Sequence, residues 1–152
     1  MKINFIAGIH GVGKTFYTNS LKDGIPAYSA SDLIRKYKQI EGKKTKDIDK
    51  NQNLLLDAIL ELNEKEIYLD GHFCLLNENG EISEIPFKTF EELDLEKIVI
   101  LYAPVEKITE RLKVRDSQEY DINLLEKFQN KEIEYGKEIA EKLGIVIEII
   151  EN

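Results

Sequence analysis

The sequence predicts an α/β protein, a three-layer α/β/α sandwich around a five-stranded parallel sheet, and three observations carry that expectation. Short apolar runs alternate with longer stretches of helical periodicity along the chain. The run at residues 97–102 (KIVILY) is nearly unbroken in its apolar character, as in a strand covered on both faces. The run at residues 2–7 (KINFIA) ends in the glycine-rich stretch GIHGVGKT, and a helical pattern follows directly, giving strand, loop and helix in that order.

Residues 2–7 read as a buried strand ended by Gly8, and residues 13–22 as a helix that stops near Asp23-Gly24. Residues 25–29 form a second short strand, with Pro26 near its start, where a missing N–H is tolerated. Ser31 or Asp32 caps a helix running to about residue 40, which Gly42 closes before the polar GKKTKD segment. Ile48, Leu55, Leu56, Ile59, Leu60 and Leu62 fall at helical spacing and give an amphipathic helix. The strand at residues 66–70 then ends on a carboxylate, Asp70. Asn79-Gly80 between two partly apolar arms predicts a hairpin or tight surface loop within residues 74–86, and residues 87–93 form a short helix. Pro104 sets the first turn of a helix after the 97–102 strand, with Val105, Ile108 and Leu112 as its apolar stripe. A polar RDSQEYD segment leads to a long helix at about residues 122–142, with Leu125, Phe128, Tyr135, Ile139 and Leu143 on or near one face. Gly144 closes it, and residues 145–150 supply the fifth strand.

At 152 residues the chain has the size of one domain, and a single domain over 1–152 is expected. No run approaches the ~18 apolar residues of a membrane span, and no apolar leader with a cleavage site follows Met1, so no membrane partner is expected. Cys74 is the single cysteine; it permits no internal disulfide, fits a cytoplasmic location, and reads as packing. The net charge of -8 argues against a long nucleic acid as partner, because that would need a basic face. A small phosphate site is compatible with that charge.

GIHGVGKT supplies such a site. It matches G-x-x-x-x-G-K-[ST], with Gly8, Gly13, Lys14 and Thr15 in register and Gly11 as an additional permissive position, the pattern of a P-loop NTPase. Its glycines let successive N–H groups turn inward around an anion, and the following helix adds its positive end. In this pattern Lys14 reaches the β- and γ-phosphates of ATP and the Thr15 hydroxyl binds Mg²⁺. Val12 and Phe16 belong to the same ATP-binding stretch. His10 occupies a variable position and reads as filler or as a phosphate contact.

Asp70 ends a strand and therefore faces the same crevice as the P-loop, at the carboxyl edge of a parallel sheet. Such a carboxylate holds Mg²⁺ or its water, orients the attacking group, or merely caps an Asp-Gly turn. His72 reads either as a partner behind the site or as a solvated turn residue. Arg111 and Arg115 stand four apart on one helix face, and two of only three arginines fall there. They suit a polyphosphate, or form surface pairs with Glu110 and Asp116. The GKKTK stretch is most simply a solvated loop.

The ordered landmarks GIHGVGKT, SASDLIR, YLDGH and RLKVR resemble those of the adenylate kinase family, above all its short-lid, archaeal-type members, over nearly the whole chain. The resemblance implies a nucleoside monophosphate kinase fold with ATP and Mg²⁺, and nucleotides as small-molecule substrates. It makes Lys14, Asp70, Arg111 and Arg115 catalytic, with Arg111 also on ATP. Arg35 matches the arginine of the family's acceptor site, and Ser31 and His72 are acceptor candidates beside it; Thr15 and Asp70 go to the metal, helices at about 31–63 to the acceptor side, and a short lid to about 111–121. The chain departs from the family in reading His72-Phe73-Cys74 where relatives place Phe-Pro-Arg, whose arginine binds the acceptor phosphate. Two alternatives stand beside the nucleotide acceptor: a kinase for another small hydroxyl compound, and an ATP-binding switch that acts on a protein partner.

Overall fold

Strand β1 (Lys2–Ala7) takes the middle of the sheet because Ile3 to Ala7 carry side chains that tolerate burial on both faces, and all of them are buried. The computed structural model describes residues 1–41, 48–77, 79–116 and 120–152. In chain order the elements are β1, α1 (Lys14–Ser20), β2 (Ala27–Ser29), α2 (Ala30–Glu41), α3 (Ile48–Glu61), β3 (Glu66–Gly71), β4 (Cys74–Leu76), β5 (Ile82–Glu84), α4 (Phe87–Leu93), β6 (Leu95–Tyr102), α5 (Val105–Asp116), α6 (Ile122–Leu143) and β7 (Val146–Glu151). Five strands pair in the order β2-β3-β1-β6-β7, all parallel, while β4 and β5 form a separate antiparallel hairpin. Ile98, Val99, Ile100 and Leu101 of β6 are each no more than 1% exposed, so both faces of the sheet centre are covered.

The predicted elements are present, with shifts at several of their ends. Helix α1 spans Lys14–Ser20 rather than residues 13–22, because Gly13 stands before it in the left-handed region and Lys22 leaves helical geometry at φ 45. Helix α2 begins at Ala30, ahead of Ser31 and Asp32; the Ser29 hydroxyl accepts from the Asp32 N–H at 3.5 Å and takes the capping place expected further on. The hairpin turns at Asn77 to Glu81, where the Asn77 side-chain oxygen accepts from the N–H groups of Asn79 and Glu81, both at 2.9 Å. Gly42 and the GKKTKD segment lie outside the described residues.

Strand order sets where the site lies. The chain leaves β1 for the edge strand β2, returns to β3 beside β1, and later crosses to β6 on β1's other flank. Connections after β1 thus diverge and leave a crevice beyond the carboxyl ends of β1 and β3. Register sharpens the position: Asp70 of β3 is level with Ile6 of β1 and with Ser29 of β2, so the next residues of all three strands emerge together.

Helix α6 secures this edge from behind. Phe5, Phe73 and Phe90 form an aromatic cluster, with ring centroids 5.1 Å apart for Phe5 and Phe73 and 4.9 Å for Phe73 and Phe90. Among these rings Glu132 of α6, only 1% exposed, accepts hydrogen bonds through Oε1 from the N–H of Phe73 at 2.6 Å and of Cys74 at 2.8 Å. The carboxylate thus serves two buried amides that have left the sheet ladder. Further along the sheet, Gln129 accepts from the N–H of Ala103 and donates to its carbonyl, at 3.1 and 2.8 Å.

Burial pushes the Glu132 carboxyl up to about 7, against the opposing pull of the Phe73 and Cys74 amides. The native state therefore holds this proton where the unfolded chain, with its ordinary value of 4.5, has released it. The stabilisation is complete below the unfolded value and is lost as pH rises through about 7. Chemical denaturation across that interval should show wild-type stability falling relative to Glu132→Gln, and parallel profiles would contradict the assignment. Glu132→Ala, which orphans both amides, should lose about 3 kcal/mol.

Candidate functional site

The loop between β1 and α1 bends through glycines. Gly11 and Gly13 adopt φ 90 and 86, which L side chains rarely take, and a Cβ at Gly13 would lie 2.7 Å from the Asn152 Nδ2 and displace that side chain. The Tyr17 N–H bonds to the Gly13 carbonyl at 3.0 Å, so the amides preceding it at the helix start have no upstream helical carbonyl to bond. They are the donors that the P-loop pattern offers to an anion.

Lys14 occupies the floor of the crevice with its side chain only 10% exposed. Its Nζ donates to the Gly8 carbonyl at 2.8 Å and the Gly71 carbonyl at 3.4 Å, and lies 3.3 Å from Asp70 Oδ1. Both ring nitrogens of His72 are also 3.3 Å from it. Burial lowers the Lys14 pKa below its ordinary value and raises that of Asp70, while their mutual attraction works against both shifts. His72 is held well below the usual histidine range, first by burial and then by Lys14 and His10. Its ring stands 4.8 Å from that of His10, centroid to centroid.

The structure brings most of the sequence-selected residues to one crevice of about 430 Å³. Gly11, Gly13, Lys14, Thr15 and Phe16 line one side, Ser31, Asp70 and His72 the other, and Arg111 and Arg115 the rim. Val12 is different: its side chain is fully buried, and only its backbone belongs to the loop. Arg111 donates to the Gly11 carbonyl at 3.1 Å and the Asn152 carbonyl at 3.0 Å, so it braces the loop. Arg35 is not brought into this group; its guanidinium pairs with Asp32 on its own helix and is 66% exposed. Residues 111–116 of the expected lid are the end of α5, and 117–119 lie outside the described residues.

A second cavity of about 190 Å³ adjoins the crevice and shares Ser29, Ser31, Asp70 and His72 with it. Its inner wall is apolar, with Phe5, Ile34, Leu55, Ile85 and Phe90. Gly71 makes that wall possible, because a Cβ there would lie 2.8 Å from the Phe5 ring.

The residues fit Mg²⁺ and ATP phosphates on their chemistry. Thr15 and Asp70 offer oxygen ligands of the kind a hard cation takes, and phosphates and water complete such a shell. Among the described residues no cluster of three or more His, Cys, Asp or Glu side chains could hold a metal by itself. No described helix is long and apolar enough to cross a membrane.

Sequence reasoning missed two supports. Asn152 donates through Nδ2 to the carbonyls of Val12 at 2.7 Å and Gly13 at 3.1 Å, and no sequence pattern signals it. Glu132 did leave a signal, a carboxylate on the apolar stripe of α6 between Phe128 and Tyr135.

The neutral state of His72 has a direct check. A proton NMR titration should show its ring uncharged at pH 6, with a midpoint that rises in Lys14→Met but stays below the ordinary value, since burial is the larger cause. A wild-type midpoint at or above that value would contradict the geometry.

No curated protein sequence matches the chain. Solved structures do. A gluconokinase from Sinorhizobium meliloti 1021 superposes with a TM-score of 0.54 at 16% identity, covering 99% of this chain and 81% of its own. The protein TT1252 from Thermus thermophilus gives 0.54 at 15% identity, covering 99% and 88%. The tunicamycin resistance protein of Deinococcus radiodurans gives 0.58 at 17% identity, covering 95% and 96%. At these identities the likeness establishes the α/β fold. The family profile described as AAA domain matches residues 7–129, from the end of β1 into α6, and the chain belongs to that family.

Proposed function

We propose that the protein transfers the γ-phosphoryl group of Mg-ATP to a hydroxyl of a small molecule bound beside Asp70. One observation carries the reading: Lys14 Nζ and Asp70 Oδ1 meet at 3.3 Å where the P-loop crevice opens into a second cavity. Lys14 and the loop amides would neutralise the β- and γ-phosphates, and Thr15 and Asp70 would hold Mg²⁺, which would supply further charge neutralisation. Asp70 orients the attacking hydroxyl. Arg111 and Arg115 approach the phosphates from α5, and closure of residues 111–121 excludes the water that would otherwise compete. The whole chain acts as one kinase domain. That a structural neighbour is named a gluconokinase supports phosphoryl transfer to a hydroxyl as the reaction, and leaves the rest of the acceptor open.

A nucleoside monophosphate is the second reading for the acceptor. Its support is that Ser31 and Asp32, from the SASDLIR stretch, line the crevice, one turn from Arg35. On this reading Arg35 leaves Asp32 to take the acceptor phosphate, and Ser31 and His72 complete its site.

Isotopically labelled ATP and a panel of small alcohols and nucleoside monophosphates test the proposal. Lys14→Ala should abolish measurable ATP binding, whereas Asp70→Asn should retain ATP and lose about 100-fold in kcat. ATP binding that survives Lys14→Ala, or hydrolysis that no acceptor stimulates, would overturn transfer as the function.

A further inference from the structure

We infer that the cavity beyond Asp70 is built for an uncharged acceptor, a hydroxyl compound whose body is an aromatic ring or a compact aliphatic group. The inference rests on the phosphotransfer reading above and names the substrate class for it. Phe5, Ile34, Leu55, Ile85 and Phe90 supply the inner wall, and the polar groups, Ser29, Ser31, Asp70 and His72, all sit at the end shared with the phosphate crevice. Apolar body inside and hydroxyl at the mouth is the orientation this division selects.

Charge decides against an anionic acceptor. Among the described residues no lysine or arginine lines the cavity, and its one charged side chain is the Asp70 carboxylate. A phosphate or carboxylate drawn to its inner wall would lose water and gain no cation from the lining. Arg35 pairs with Asp32 and is not among the residues that line the cavity. The cations of the site stand on the other side: Lys14 and Arg111 line the crevice, and Arg115 lines both the crevice and a cavity of about 380 Å³ beyond His72.

Size agrees. A dry cavity of about 150 Å³ lined by leucine, isoleucine and phenylalanine accepts benzene. The present cavity, at about 190 Å³, admits one ring with a short chain reaching out to Asp70.

In the transfer step the acceptor oxygen forms a bond to the γ-phosphorus while the bond from the γ-phosphorus to the β,γ-bridging oxygen breaks. ADP leaves with that electron pair. The hydroxyl proton passes to the Asp70 carboxylate and then to water.

A matched pair of probes isolates the claim: 3-phenyl-1-propanol and 3-phenylpropionate share a body and differ in charge, and AMP represents the nucleotide acceptor. Methyl NMR of the protein with Mg²⁺ and a non-hydrolysable ATP analogue should show the alcohol shifting the Ile34, Leu55 and Ile85 methyls at least tenfold more tightly than either anion. The alcohol should also be phosphorylated from ATP, as read by ³¹P NMR. Ile34→Lys, or Ser31→Lys at the mouth should the first not fold, should raise carboxylate affinity relative to the alcohol by tenfold or more. Equal or tighter binding of an anion at these methyls, or methyls that ignore the alcohol, would overturn the inference. Shifts of the Gly11 and Gly13 amides on adding the ATP analogue, lost in Lys14→Ala, report the nucleotide site separately. If they persist while the alcohol fails, the acceptor class alone is wrong; if they are absent, the underlying phosphotransfer reading fails with it.

Discussion

The ammonium of Lys14 must keep its charge in a place where burial disfavours it, and the rest of the site is arranged around that constraint. Its carbonyl partners come from two strands, Gly8 after β1 and Gly71 at the end of β3, and its counter-charge is Asp70. Only a parallel pairing that sets Ile6 level with Asp70 and Ala7 level with Gly71 brings these groups within reach of one side chain. The sheet centre therefore has a functional register as well as an apolar one. A slip of one residue would reverse the faces of β3 and remove the carboxylate from the lysine.

Supports behind the crevice follow from the same need for position. The turn at His72-Phe73-Cys74 leaves the sheet, and its amides would be orphaned inside an aromatic cluster without Glu132. A buried carboxyl group is unfavourable in itself, but here its oxygen satisfies two donors and fixes the turn that carries His72 toward Lys14. On the opposite side, Arg111 and Asn152 hold the P-loop carbonyls of Gly11, Val12 and Gly13. The phosphate side is thus rigid and cationic, while the adjoining cavity is apolar.

Much of this architecture was legible in the sequence because it rests on local rules. Glycine spacing locates the P-loop, apolar runs locate the strands, and Asn79-Gly80 with Gly144 marks a turn and a helix end. Strand-end logic likewise placed Asp70 opposite Lys14. What escaped depends on contacts distant in the chain: Glu132 meets amides 58 and 59 residues away, and Asn152 meets the loop across 139 and 140. Arg35 shows the converse. Its spacing suits an acceptor contact, and its partner in the structure is Asp32, three residues away on the same helix.

The most direct measurement of the central claim is a crystal structure with Mg²⁺ and a non-hydrolysable ATP analogue. The account predicts the γ-phosphate within hydrogen-bond distance of Lys14 Nζ, the metal between Thr15 and Asp70, and an open path from the γ-phosphorus into the apolar cavity. Lys14 still closed on Gly8, Gly71 and Asp70, with the triphosphate bound away from the P-loop amides, would contradict it.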